Sequence, residues 1–113
     1  MMNSRTKKVR AEAREALKSR SGKAVSEAFK AAFERASERS FQFPMTTALV
    51  GRNGAFMFCR YHKTENGVNL ETLAEHEDDT GYEFPINMLM VDATGKELRV
   101  TMGGEGSDRI TFH

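Results

Sequence analysis

Phe43-Pro44 divides this chain into two parts that cannot share one kind of secondary structure. A residue before proline is pushed out of the helical region, so any helix arriving from the amino-terminal side ends by Phe43. Before that point the sequence is rich in Ala, Glu, Lys and Arg, contains no Pro and has a single glycine, Gly22. Those residues favour helix. After it come β-branched, aromatic and Met residues punctuated by Gly, which favour strands and turns.

The stretch Ser19-Arg20-Ser21-Gly22 is expected to break the helical half into two helices, about 4 to 20 and 23 to 39. Gly22 would end the first, and Ser19 or Ser21 would cap the second. Val25, Ala28, Phe29, Ala32, Phe33 and Ala36 recur at spacings of three and four. They form one apolar stripe, expected to pack on a sheet. The first helix offers only Val9, Ala13, Ala16 and Leu17.

In the second half, Asn53-Gly54 and Asn66-Gly67 are strong two-residue hairpin signals, and Thr94-Gly95 is a weaker one. They predict strands near 45–51, 55–64, 68–75, 84–92, 96–102 and 108–112. The expected architecture is α+β, two amino-terminal helices on a five- or six-stranded antiparallel meander. A chain of 113 residues suits one domain, residues 1–113, built from a basic helical segment (1–40) and an acidic sheet (45–113).

Charge is distributed unequally between them. Residues 1–40 carry 11 Lys or Arg against 5 Glu, a balance of +6, and residues 41–113 carry 6 against 11 Asp or Glu, a balance of −5. On the first helix Lys7, Arg10, Arg14 and Lys18 fall in a row about 16 Å long. Such a row could follow a phosphate backbone; the alternative is a solvated helix face, or a strip that neutralises the chain's own acidic half. The total of +1 and the lack of any helix-turn-helix, RNP or zinc-finger pattern speak against nucleic acid as the main partner.

Chemistry has few candidates. The single cysteine, Cys59, cannot form an internal disulfide, and it stands three residues from His62. On a strand, residues three apart leave opposite faces, so the two are not expected to share a metal or a reaction. Cys59 is expected in the core. A zinc set of Cys59, His62, His76 and His113 lacks the usual paired spacings. Residues 76–87 place Gly81 as an EF-hand loop would, but begin with His76 and end with Asn87 where that loop needs carboxylates. Residues 103–108 lack the lysine of a P-loop, and Glu105 occupies the first glycine's place in a G-x-S-x-G pattern around Ser107. No enzymatic activity, cofactor or metal is expected.

With Asn66-Gly67 as the turn, His62 would face Glu71 and Phe58 would face Glu75. That places Phe56, Phe58, Arg60, His62, Glu71 and Glu75 on one side of the ribbon, with Leu49 joining them across the first hairpin. The acidic connection that follows adds Glu77, Asp78 and Asp79. Aromatic anchors beside charges suit a protein interface, closed by another protein or by a second copy of the chain. The expected function is therefore that of a small non-enzymatic inhibitor or regulator of a protein or nucleoprotein assembly. Phages and plasmids encode proteins of this size and kind, an analogy only. The alternative is a nucleic-acid-binding module that uses the basic helix row.

The longest apolar run, residues 55–59, is far below the roughly 20 residues that a membrane span needs. No apolar stretch follows the basic amino terminus, and Glu12 and Glu15 are unlike an acid-poor presequence. A cytoplasmic location without membrane contact is expected.

Overall fold

The structure, a computed structural model, describes the backbone of residues 4–77, 79, 81–103 and 110–113, and the side chains of the same residues from Ser21 onward. One helix, α1 (Ser4–Glu38), precedes six strands: β1 (Met45–Gly51), β2 (Phe56–Thr64), β3 (Gly67–His76), β4 (Ile86–Val91), β5 (Glu97–Met102) and β6 (Ile110–Phe112). The strands form one antiparallel sheet in the order β3-β2-β1-β4-β5-β6. This is the expected α+β class. Among the described residues, no helix is long and apolar enough to cross a membrane.

Two expectations about the layout are corrected. The helical half is one element, not two. Ser21 does not serve as an amino-terminal cap: it is buried, and its hydroxyl accepts the backbone N–H of Tyr82 at 3.3 Å. Gly22 is tolerated inside the helix at a cost of about 1 kcal/mol relative to Ala, and the packing of Ala24 and Val25 immediately after it holds the turn in place. Nor is the sheet a simple meander. β1-β2-β3 and β4-β5-β6 each run outward from the centre, and the connection after β3 carries the chain back from the sheet's edge to pair β4 with β1.

The core lies between α1 and one face of the sheet. Ala24, Ala28, Ala32 and Ala36 are buried along the helix, where small side chains let it approach the strands closely. Phe29 and Phe33 flank this line and converge on Tyr61, with ring centroids 6.1 and 4.5 Å away. From the sheet come Met45, Leu49, Cys59, Ile86, Met88, Met90, Leu98, Val100 and Met102. β1 alternates buried and exposed positions along its length, as a strand covered on only one side must.

The helix is pinned at two points. Midway along it, beside the Ser21 contact, Asn53 holds the segment entering β4: its Nδ2 donates to the Gly81 carbonyl at 3.0 Å and its Oδ1 accepts the Glu83 N–H at 3.1 Å. At its end, the Lys96 ammonium donates to the Arg39 carbonyl at 3.1 Å, placing a cation at the negative pole of the helix dipole. Arg35 lies over the Phe112 ring at 4.6 Å, so the helix also reaches β6. The second sheet face is left without any covering element among the described residues.

Candidate protein-docking face

Turn length decides which side chains reach the uncovered face. The first hairpin closes with a bond from Gly51 N–H to the Ala55 carbonyl at 2.8 Å, so its loop holds three residues, 52–54, and not two. Ala48 therefore faces Phe58 and Val50 faces Phe56. Leu49, expected on this face, points the other way and is fully buried in the core. A one-residue change in register moves every side chain of a strand to the opposite face.

The second hairpin also differs from expectation. Thr64 pairs with Gly67, so the turn is Glu65-Asn66, and Gly67 opens β3 with a φ of 138° that suits glycine. The partners shift by two residues: Arg60 faces Glu71 and His62 faces Asn69. Even so, His62 Nε2 reaches Glu71 Oε2 diagonally at 3.3 Å. The two side chains are 38% and 50% exposed, so the contact is a solvated one of small energetic weight.

Between Phe58 and Cys59 the pairing with β3 slips by one residue. As a result Phe58 lies opposite Ala74, and Glu75 lies opposite Met57 on the helix-facing side. Glu75 is thereby removed from the face where it was expected. Glu77 is exposed beyond β3, Asp79 is exposed in the following turn, and Asp78 lies outside the described residues. The basic row Lys7, Arg10, Arg14 and Lys18 falls where side chains are not described.

What the sheet does bring together is an apolar strip. The Phe56 and Phe58 rings lie 5.0 Å apart, Phe58 is 39% exposed and Val50 beside them is 40% exposed. Ala48 and Leu89 continue the strip across β1 and β4. His76 stands at one end, its ring 6.1 Å from that of Phe56. Arg60, His62 and Glu71 rim one flank, and Glu97 and Arg99, 3.3 Å apart, rim the other.

A shallow depression of about 360 Å³ lies beside the strip, lined in part by Ala48, Val50, Leu89, Arg99, Thr101 and His113. The Thr101 hydroxyl donates to Asn87 Oδ1 at 3.0 Å, so it accepts from His113 Nε2 at 2.8 Å. Sequence reasoning missed Val50, Leu89, Thr101 and His113. Only the strand order, with β4 beside β1, places them next to Phe58.

Cys59 and His62 do leave from opposite faces. Cys59 is fully buried under α1. Burial pushes its thiol upward from the usual value against a hydrogen bond from Thr72, and the carboxylate of Glu75 raises it further. Such a thiol is a poor nucleophile. Among the described residues, no group of three or more His, Cys, Asp or Glu side chains is arranged to hold a metal ion. Comparison with known protein families, with curated proteins and with solved structures finds no match for the chain.

Proposed function

We propose that this chain is a non-enzymatic binding protein, an inhibitor or regulator that docks on a protein or nucleoprotein assembly through the open face of its sheet. The observation that carries the reading is the pair Phe56 and Phe58 standing on a face that no other element covers among the described residues, with Phe58 39% exposed and Val50 40% exposed beside it. Aromatic anchors in a contiguous apolar strip, ringed by charges of both signs, have the composition of an interface centre and its rim. Arg60, His62 and Glu71 on one flank and Glu97 and Arg99 on the other would set orientation and partner choice more than affinity.

The test is capture from a nuclease-treated cell lysate by the immobilised protein, compared with Phe58→Asp and with a charge reversal of Glu77 and Asp79. A partner retained by the wild type and lost with Phe58→Asp, at unchanged circular dichroism, is the expected result. Equal capture by wild type and Phe58→Asp overturns the reading. Capture that nuclease abolishes, and that Arg10→Glu with Arg14→Glu also abolishes, would instead favour the nucleic-acid module.

A further inference from the structure

β3 ends the sheet, and among the described residues no strand pairs with its outer edge. It is ten residues long and every one is exposed, whereas the strand at the other edge, β6, has only three. Proteins usually protect such an edge with a short strand, a proline, a lysine or a covering element. Gly67–His76 contains neither Pro nor Lys. The slip in pairing opposite Phe58 and Cys59 and the inward-facing Glu75 protect the far part of the strand, beyond Thr72, and leave Gly67 to Thr72 without such a device.

The pairing identifies the free backbone groups. In a two-residue hairpin the residues flanking the loop form a hydrogen-bonded pair, and bonded and non-bonded pairs then alternate. Starting from Thr64 and Gly67, the groups that point away from β2 belong to Val68, Leu70 and Thr72. The side chains of these same residues lie on the helix-facing side, where Val68 is 52% exposed and Leu70 is 50% exposed. The ring contacts of Phe29 and Phe33 fall on Tyr61, which pairs with Leu70, and among the described residues Val68 and Leu70 stay half exposed on that same side.

Charge selects the occupant. From Glu65 to Glu77 the chain carries Glu65, Glu71, Glu75 and Glu77 and no Lys or Arg. A second copy docked edge to edge would bring two anionic strands within a Debye length of each other. A cationic strand meets the opposite condition.

We propose that the free edge of β3 captures an extended, cationic segment of a partner protein as an added strand, bonded through the backbone at Val68, Leu70 and Thr72. Apolar side chains of that segment cover Val68 and Leu70 on one side, and its Lys or Arg side chains meet Glu71 on the other. This is strand addition, in which backbone bonds supply affinity and alternate side chains supply selectivity. The backbone groups of this edge and the side chains of Val68 and Leu70 are not part of the face around Phe58; only Glu71 is shared with the rim of that face.

The probe is a synthetic peptide of alternating Val and Lys, titrated into the full chain by calorimetry at low salt, with a Val and Glu peptide as control. Leu70→Pro removes the outward N–H at a position where an edge strand tolerates proline, and weakens binding by about tenfold or more. Glu71→Lys weakens it and flattens its salt dependence, while Phe58→Ala leaves it unchanged. A Val and Lys peptide N-methylated at alternate residues cannot pair and does not bind, a result that does not depend on how any variant folds. Equal binding of the N-methylated or the Glu peptide overturns the proposal. So does a dimer of the unliganded protein in sedimentation that Leu70→Pro dissolves.

Discussion

Asp92 Oδ2 accepts the backbone N–H of Gln42 at 2.8 Å, joining the segment that leaves α1 to the turn between β4 and β5. Its other oxygen accepts the N–H groups of Thr94 at 2.9 Å and Lys96 at 2.8 Å, and the Thr94 hydroxyl at 2.8 Å. One buried carboxylate thus organises a turn and ties it to the end of the helix. The Ala93 N–H, donated to the Gln42 carbonyl at 3.1 Å, doubles the connection.

Acid should loosen this junction. Burial works to raise the Asp92 pKa, but the four hydrogen bonds outweigh it and hold the carboxyl at about 2, below the ordinary 3.8. Between those values the unfolded chain binds the proton and the folded chain does not, so stability rises with pH there. The contribution is complete above about pH 4 and is lost as pH falls through about 2. Thermal melts from pH 6 to pH 2 are expected to show a falling midpoint over the lower part of that range. Asp92→Asn should lower the midpoint at pH 6 and flatten the acid slope, and an unchanged slope would contradict the assignment.

A second prediction concerns Thr47, in the middle of β1. Its side chain is fully buried on the helix-facing side, and its hydroxyl has no hydrogen-bond partner. A buried polar group left unpaired costs about 1–3 kcal/mol. Thr47→Val keeps the shape and removes the unpaired oxygen. Urea unfolding should therefore show the variant more stable by about 1 kcal/mol with an unchanged slope. A loss of stability would mean that the hydroxyl has a partner in solution.

How much of this was legible in the sequence depended on which physical constraint did the specifying. Hydrophobic patterning and turn residues located all six strands to within two residues, and the stripe from Val25 to Ala36 is the face that α1 buries. Register was harder, because an Asn-Gly pair marks a turn without fixing its own position within it. Asn53-Gly54 belongs to a three-residue loop, and that one extra residue exchanges Leu49 for Ala48 and Val50 on the open face. Asn66-Gly67 straddles the turn's end, which moves the partners of β2 by two and leaves their faces unchanged. The slip opposite Phe58 and Cys59 has no marker in composition, so Glu75 was misplaced. Strand order was the least readable feature. The connection between His76 and Ile86 is long enough to reach either edge or centre, and only the close approach of β1 and β4 selects the centre.

The last prediction follows from how α1 stops. Phe41 N–H donates to the Ala36 carbonyl at 2.9 Å and Ser40 N–H to the Ser37 carbonyl at 3.1 Å, with Ser40 at a φ of 58°. These two nested bonds around a left-handed residue are a Schellman cap, and the burial of both Ala36 and Phe41 supplies its usual apolar contact. Glycine is the residue that adopts such a φ without the penalty of a Cβ, and serine there is strained. Ser40→Gly should therefore relieve about 1 kcal/mol of that strain, in part offset by the greater freedom of glycine in the unfolded chain. The net expectation is a gain of about 0.5 kcal/mol in urea unfolding. Ser40→Val, β-branched at the same φ, should lose stability by a larger amount. Equal stability of all three proteins would show that the helix does not end in this cap.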